Sequence, residues 1–285
     1  MNRRQQPGQV RKLNAVNRNI VTQRIVNNPF TNAAVVGREF GVHRDTIRKV
    51  WSDDADIHHQ VAARKPALTP QHLQDRLLYA HANQHRNWDN VLFSDEKTFQ
   101  SDRHQKTHVY RPRNTRYDIQ YIQPTRRSGR ISAGVWGWIS REGPGEMTFV
   151  SGRLNSADYC EILEEVLITP VEICYGSMQN VIFMQDNNSI HTSNFTQQWF
   201  NNHPNITRLV APANSPDLNP IENFWAEITR DWQSVFPRNR ATLDPIIVRN
   251  WESFRGQSQY FENLYDSMPY RMQEVIRKNG GPTSY

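Results

Sequence analysis

The spacing of apolar residues predicts helices in the first third of the chain. The segment "LNAVNRNIVTQRIVNNP" has apolar residues at helical spacing and Asn14 at the expected N-cap. Thr31 is predicted to cap a short helix, and Gly41 permits a tight turn after it. A further helix follows, with Ile47 and Trp51 facing inward. This order predicts a helix-turn-helix layout, although a plain three-helix interaction module has a similar pattern.

A polar stretch with two prolines, "SDDADIHHQVAARKPALTP", comes next and is predicted to be a linker. It leads into one more helix, capped by Thr69 and ending near Trp88. We therefore expect a helix-turn-helix domain over residues 1–52, a linker with a connecting helix over 53–88, and a larger domain over 89–285.

After residue 88 the apolar runs become short, which is typical of strands. Strands are predicted for "VLFSDEKTF", "HVYRP", "ISAGVWGWIS", "GEMTFVSG", "VIFMQD" and "ITRLVAP", and helices for "NSADYCEILEEVLITPVEICYG" and "FTQQWFNN". Trp136 and Trp138 are expected in the core. Strand-only segments followed by strands alternating with helices predict a mixed α/β sheet, preceded by the small all-α domain.

Composition supports a folded protein. The 285 residues are 37% hydrophobic and 11% aromatic, enough for one large and one small domain. The sequence has no run of eighteen apolar residues, so no membrane helix is expected. The N-terminal segment "MNRRQQPGQVRKLN" lacks the apolar stretch of a secretory signal. Cys160 and Cys174 fit no zinc or redox spacing, so we expect buried free thiols in a reducing compartment.

Positive charge is concentrated at the N-terminal end. The chain carries +6, but residues 1–50 carry +8 and the remainder −2. Such clustering favours binding to a polyanion, with a solvated basic surface as the alternative. In a helix-turn-helix the last helix presents its first residues to the DNA major groove. The predicted DNA-binding residues are Arg11, Lys12, His43, Arg44, Arg48 and Lys49.

Three acidic residues stand where chemistry is expected. Asp95 and Asp186 each follow an apolar run, and catalytic groups of open α/β sheets collect beyond strand ends. Turn or cap roles are the alternative for both. Glu222 lies in the first turn of a helix with Asn219 as predicted N-cap and Pro220 at its first position. That spacing also fits a capping box, in which Glu222 only stabilises the helix.

Convergence of three carboxylates would require cations. Two divalent ions about 3.5–4 Å apart can activate an attacking oxygen and stabilise a leaving one. Mg²⁺ prefers oxygen ligands, whereas bare clustered carboxylates repel and one of them protonates. Spacing alone leaves Glu96, Asp102 and Asp217 as alternative acids.

The motifs together resemble a known family. In order they are "VLFSDEKTF", "VWGWIS", "QDNNSIHTS" and "NSPDLNPIENFWAEI", with "LYDSMPYRMQEVIRKNGGPTSY" at the end. They are similar to the Tc-like branch of the mariner superfamily of cut-and-paste DDE transposases. "NNPFTNAAVVGREFGVHRDTIRKVW" resembles the second of that family's two helix-turn-helix units. The resemblance runs from about residue 10 to the end.

The resemblance implies an RNase H-like catalytic domain that uses two Mg²⁺ or Mn²⁺ ions. Asp95, Asp186 and Glu222 match the three catalytic and metal-binding acids of the family. Asn187 and His191 match positions that flank the second acid, where they are expected to support it or to contact DNA.

The family's reaction supplies further expectations. Activated water cuts double-stranded DNA at each transposon terminal repeat, and the freed 3′-hydroxyl attacks target DNA at a TA dinucleotide. Positioning and metal electrostatics supply most of the rate, so no nucleophilic side chain is needed. Joining two ends implies a homodimer on DNA, and the expected location is the nucleus.

The N-terminus departs from the family pattern. Members usually carry two helix-turn-helix units joined by a basic hook, whereas this sequence shows one, with "PGQVRKLN" in place of the hook. Weak binding to transposon ends is therefore expected. The alternative function is a truncated or domesticated, non-catalytic DNA-binding protein that uses residues 10–52. A general RNase H-like nuclease is a third interpretation, which leaves the helix-turn-helix unexplained.

Overall fold

The computed structural model describes residues 13–60, 65–102, 118, 130–150, 152, 154–178 and 181–285. The chain divides into two compact units, an N-terminal one that ends at Arg64 and a C-terminal one, Lys65–Tyr285. The boundary falls inside the segment predicted as linker and connecting helix. The predicted DNA-binding residues Arg11 and Lys12, and the predicted strand "HVYRP", lie outside the described residues.

The N-terminal unit contains the predicted series of helices, whose bounds are α1 (Ala15–Asn27), α2 (Ala33–Glu39) and α3 (Arg44–Ala55). Asn14 caps α1 as predicted, because its Oδ1 accepts a 2.8 Å hydrogen bond from the Asn17 amide. The prediction for α2 was wrong by one residue. Asn32 is its cap, with Oδ1 accepting from the Ala34 amide at 2.8 Å, whereas the Thr31 hydroxyl donates to the Asn28 carbonyl.

A small core holds these helices together. Gly41 lies between α2 and α3 with φ +65°, as its predicted turn requires. Trp51 donates its indole N–H to the Val21 carbonyl at 2.9 Å, which ties α3 to α1. The buried apolar residues of this unit are Val21, Ile25, Ala33, Val36, Ile47, Val50 and Trp51.

In the C-terminal unit the described residues form one five-stranded sheet of order β3-β2-β1-β4-β5. The strands are β1 (Val91–Gln100), β2 (Ser132–Ser140), β3 (Gly143–Val150), β4 (Ile182–Gln185) and β5 (Thr207–Val210). β1 pairs antiparallel with β2 and parallel with β4, while β5 runs parallel to β4. The predicted mixed sheet is therefore confirmed.

Helices cover the sheet. Their bounds are α4 (Pro70–Asn83), α5 (Ser156–Ile162), α6 (Thr169–Tyr175), α7 (Ser189–Thr192), α8 (Asn194–Asn201), α9 (Ile221–Ile228), α10 (Arg240–Glu252), α11 (Ser258–Asp266) and α12 (Met268–Arg277). A π-helical segment, Leu163–Ile168, joins α5 to α6. Thr69 caps α4 as predicted, but α4 ends at Asn83 rather than near Trp88. α4 packs against α12, so it belongs to the C-terminal unit.

Alternation along the strands gives the sheet two buried faces. On one face Phe93 lies in a core with Trp225 and Trp251 from α9 and α10. On the other face Leu92 lies in a second core with Tyr159 and Leu163. The second core also contains the tryptophans at positions 136 and 138, as predicted.

A buried ion pair fixes the loop that precedes α9. Arg76 of α4 donates two 2.8 Å hydrogen bonds to the carboxylate of Asp217, and the two side chains are 0% and 4% exposed. The Thr283 amide donates to the same carboxylate at 2.8 Å. Arg271 of α12 donates to the Asp217 carbonyl at 2.8 Å and to the Asn223 Oδ1 at 2.9 Å. The loop and the start of α9 are thus bound to two other helices and to the C-terminal segment.

Two further expectations can be compared with the structure. No helix in the described part is long and apolar enough to cross a membrane. Both cysteines are free; Cys160 is buried as predicted, whereas Cys174 is exposed because it lies on the outer side of α6 near its end.

Replacing Asp217 with Ala is expected to lower the free energy of unfolding by about 3–5 kcal/mol, because Arg76 would remain buried without a counter-charge. Urea unfolding followed by circular dichroism measures this. The matched control is Arg277→Met, which removes a 71% exposed arginine 3.6 Å from Glu274 and is expected to cost less than about 1 kcal/mol. Equal stability losses in the two variants would contradict the assignment of Asp217 as a structural anchor.

Candidate active site

Strand register brings two of the predicted acids together. The last pair of the parallel β1–β4 ladder is Phe93 with Met184, and two residues further along each chain stand Asp95 and Asp186. Side chains alternate between sheet faces, so both acids follow the face of Phe93 and Met184, which share one core cluster. The two carboxylates therefore lie on the side of the sheet that α9 covers.

Asp95 does not end its strand, contrary to the sequence-based expectation. β1 continues to Gln100, and Asp95 pairs with Gly137 of β2. The pairing of β1 with β2 continues past the point where the pairing of β1 with β4 stops. This antiparallel pairing keeps β1 extended. Asp95 thus lies beyond the end of β4 while remaining inside a regular strand.

Glu222 reaches the same place from α9, but the predicted capping box is wrong. The boundary residue of α9 is Pro220, and no side chain caps the helix. Asn219 instead donates its Nδ2 to the Ser94 carbonyl on β1 at 3.0 Å. The Glu222 carboxylate lies 3.7 Å from the ammonium of Lys97, which stands two residues after Asp95 on β1.

The three acids line one pocket of about 420 Å³. The pocket is formed by Pro66, Asp95, Asp186, Asn187, Asn188, Ala211, Pro212, Ala213, Asn214, Ser215, Pro216, Asn219 and Glu222. Asn187, predicted to flank the second acid, is among them. No group of three His, Cys, Asp or Glu side chains in the described ranges is arranged tightly enough to hold a metal ion as it stands.

The alternative acids have other partners. Asp217 binds Arg76, as described above. Asp102 accepts a 3.1 Å hydrogen bond from Arg130 and a further one from Arg238. Glu96 contacts His191. Each of these contacts gives the alternative acid a structural role outside the pocket lining.

Crowding of negative charge changes the protonation of Asp95. Burial, followed by the charges of Glu222, Glu96 and Asp186, raises the pKa of Asp95 to about 8. The carboxyl group is therefore mostly protonated at neutral pH. The charges of Glu222 and Asp186 contribute to this rise because both carboxylates lie close to Asp95.

His191 holds Asp186 from behind the pocket. Its Nδ1 lies 2.7 Å from the Asp186 Oδ1 and its Nε2 lies 3.2 Å from the Glu96 Oε1, and the imidazole is only 3% exposed. The Asn188 amide also donates to the Asp186 Oδ1, at 2.9 Å. Because both contacts use Oδ1, the second carboxylate oxygen of Asp186 remains for another ligand.

These contacts set the charges of the pair. Burial would raise the pKa of Asp186, but hydrogen bonds from His191 and the Asn188 amide lower it overall. Burial would lower the pKa of His191, but Asp186 and Glu96 raise it to about 9. Sequence reasoning named Glu96 only as a substitute acid. Strand alternation would have placed it on the face opposite Asp95, where it can contact His191.

The N-terminal unit carries the other predicted site. Four of the six predicted DNA-binding residues lie together at the start of α3 and are exposed: His43, Arg44, Arg48 and Lys49. His43 also caps α3, with Nδ1 accepting from the Asp45 amide at 3.3 Å. Asp45 lies 3.4 Å from Arg48 and offsets part of this positive charge.

A mixed sheet with three acids around one pocket, together with a basic helix-turn-helix unit, defines an enzyme that acts on nucleic acid. Comparison with known proteins specifies the family. Residues 90–244 match the family described as DDE superfamily endonuclease.

Two curated relatives match most of the chain. The transposable element Tc3 transposase of Caenorhabditis elegans is 33% identical over 252 residues, which cover 87% of this chain and 74% of that protein. The transposable element Tcb2 transposase of Caenorhabditis briggsae is 30% identical over 244 residues, which cover 84% and 87%. The chain belongs to the DDE superfamily of endonucleases, among the Tc1/mariner transposases.

Solved structures of the Mos1 transposase share the fold. The paired-end complex with left transposon end superposes with a TM-score of 0.76 at 14% identity, covering 93% of this chain and 79% of that one. The Mos1 catalytic domain gives 0.60 at 15% identity, covering 78% and 100%. This structural match confirms the predicted RNase H-like fold, while the family match and the curated relatives confirm the prediction of a DDE transposase.

Replacing Asp95 with Asn is expected to stabilise the cation-free protein increasingly as pH rises. The folded pKa of Asp95, about 8, exceeds the unfolded value of about 3.9. Its contribution to stability is therefore fully present below about pH 4 and is lost as pH rises towards 8. The Tm difference between Asp95→Asn and the wild type, measured in a chelating buffer, should grow over this window and then level off. Asp231→Asn, at an exposed position, is the control; an Asp95→Asn difference that is independent of pH would refute the burial of this carboxyl group.

Proposed function

We propose that the chain is a divalent-cation-dependent DNA transposase that cuts transposon ends and joins them to target DNA, with Asp95, Asp186 and Glu222 as its catalytic acids. The observation that carries this proposal is their convergence on one pocket. Family membership supplies the class of reaction.

The residues around the pocket fit a hard cation. The three acids offer carboxylate oxygens, the donors that Mg²⁺ and Mn²⁺ prefer. A further oxygen, the Oδ1 of Asn219, is buried without a hydrogen-bond partner among the described residues. Asp95, Asp186 and Glu222 would hold two Mg²⁺ or Mn²⁺ ions, which when bound activate the attacking oxygen and stabilise the leaving oxygen. Related Mos1 paired-end complexes are described with Mg and with Mn.

The remaining roles belong to side chains of this chain. His191 and the Asn188 amide orient Asp186 through Oδ1, so that its Oδ2 is available to the pocket. The Lys97 ammonium lies 3.7 Å from the Glu222 carboxylate and offsets its charge, and it would be in reach of a DNA phosphate if Glu222 held a cation. Asn187 lines the pocket, where its carboxamide can contact the DNA strand.

The basic start of α3 would bind double-stranded DNA. In a helix-turn-helix, the corresponding helix enters the major groove with its first residues. The exposed residues at this N-terminal end of α3 are His43, Arg44, Arg48 and Lys49. Transposon terminal repeats and TA target sites are the proposed DNA, in line with the Mos1 complexes with transposon ends. A homodimer on DNA and a nuclear location complete the proposal.

Asp186→Ala is expected to reduce nicking of terminal-repeat DNA on the order of 10³-fold or more, because a group that stabilises the transition state is lost. Labelled DNA incubated with full-length protein and Mg²⁺ measures the rate. Asp231→Ala removes an exposed carboxylate outside the pocket and should cleave at the wild-type rate. Two results together would favour the non-catalytic alternative: the folded wild type cleaves no terminal-repeat DNA, and Asp186→Ala binds DNA as well as the wild type does.

Arg48→Ala is expected to weaken binding to duplex DNA across all sequences and to lower the slope of log affinity against log salt by about 1, if its contact is to one phosphate. Fluorescence anisotropy at several salt concentrations measures both quantities. The control is Arg18→Ala, because Arg18 lies on α1 and is held by Asp54 at 3.0 Å; it should keep the wild-type slope. An unchanged slope in Arg48→Ala would contradict a phosphate contact of Arg48.

A further inference from the structure

Asn219 connects the two elements that carry the first and third acids. Its Nδ2 donates to the carbonyl of Ser94, the residue before Asp95, at 3.0 Å. Its own carbonyl accepts from the Glu222 amide at 3.1 Å. The residue is 5% exposed and lines the pocket. One buried side chain therefore sets the separation between β1 and the start of α9.

The other half of the carboxamide is not used by this connection. The carbonyl of Ser94 can only accept a hydrogen bond, so Nδ2 must face it and the orientation of the amide is determined. The Asn219 Oδ1 is then left buried, and no donor in the described part of the chain reaches it. Buried polar atoms in native proteins are nearly always satisfied, and Asn219 lines the pocket, so this oxygen is available to a ligand bound there.

A structural asparagine in the same unit shows the contrast. Asn83 is 3% exposed, and its Nδ2 donates to the Tyr79 carbonyl at 2.7 Å. Its Oδ1 accepts from Arg86 at 2.6 Å. Both ends of that carboxamide are satisfied by protein. Asn219 differs at Oδ1, and it lies among the three acids, whereas Asn83 does not line the pocket.

Helix capping does not explain Asn219 either. Its side chain makes no hydrogen bond to the first amides of α9, which begins after Pro220. The position is nevertheless next to three carboxylates that together attract a cation. Carboxamide oxygens are regular partners of hard cations and of the water that such cations retain.

We propose that Asn219 is a positioning residue of the cation site: its Nδ2 fixes the distance between β1 and α9, and its Oδ1 contacts the hydrated divalent cation. This inference rests on the proposed function, since it requires a cation in the pocket. Asn219 adds an uncharged oxygen to the three acids. An acidic side chain at this position would repel the Ser94 carbonyl, except when a bound cation offsets its charge.

The test measures cation binding in the absence of DNA and of turnover. Full-length wild type, Asn219→Ala, Asn219→Asp and Asn83→Ala are titrated with MnCl₂ by calorimetry, and their Tm is recorded with and without the salt. Asn219→Ala should bind Mn²⁺ about 10-fold more weakly, the lower end of the usual effect of a supporting residue. Asn83→Ala should lose Tm but keep the wild-type affinity. Asn219→Asp loses the hydrogen bond to the Ser94 carbonyl, so its Tm without salt should fall, but it keeps an acceptor oxygen, so MnCl₂ should raise its Tm by at least as much as that of the wild type.

The outcomes distinguish the role of Asn219 from the proposed function on which it rests. Mn²⁺ binding in the wild type with equal affinity in Asn219→Ala would overturn the role of Oδ1 and leave the three acids intact. Absence of Mn²⁺ binding in the folded wild type would overturn both. If Asn219→Ala does not fold, Asn219→Asp decides: a rise in Tm with MnCl₂ smaller than that of the wild type would contradict an acceptor role, and an equal or larger rise would support it.

Discussion

The parallel pairing of β1 with β4 is the constraint on which the site depends. Side chains alternate along a strand, so a slip of one residue would move Asp95 to the opposite face of the sheet from Asp186. The register is fixed because both faces are buried: Phe93 and Leu92, neighbours in sequence, belong to different cores. Exchanging them would place each in a cavity shaped for the other. The position of the two acids is therefore a consequence of hydrophobic packing several residues away from them.

The third acid depends on a separate anchor. Glu222 stands on α9, and the loop before α9 is held by Arg76 and Arg271 through Asp217. Burial is the main cause of the raised pKa of Asp95, and repulsion between the like charges around the pocket adds to it. Without cations, the buried ion pair and the contact from Asn219 to β1 oppose this repulsion with contacts that do not involve the acids. The anchor therefore lets the charged site exist before any ligand neutralises it.

Local sequence was sufficient where the deciding interactions are local. The caps Asn14 and Thr69 act within three residues, and the prediction for each is confirmed. Prediction from local sequence failed where a partner distant in the chain determines the structure. The apolar run of β1 stops near Ser94, but pairing with β2 extends the strand beyond Asp95. "NPIE" has the local pattern of a capping box, yet the Ser94 carbonyl, distant in sequence, takes the side chain of Asn219. Positions after apolar runs and at a helix start indicated the three acids, and the resemblance of motifs selected them over the alternative acids. The strand register supplies the physical reason that two of them meet.

The three acids are not equivalent. Asp186 is held in its charged form by His191 and the Asn188 amide, Asp95 is mostly protonated at neutral pH, and Glu222 faces the ammonium of Lys97. If these acids hold a divalent cation as proposed, Asp95 would have to be deprotonated and Glu222 would have to leave Lys97. Cation affinity would then increase with pH until Asp95 is ionised. Asp186 is accordingly the acid around which the candidate site is organised, because the buried His191 contacts it and is itself contacted by the half-buried Glu96.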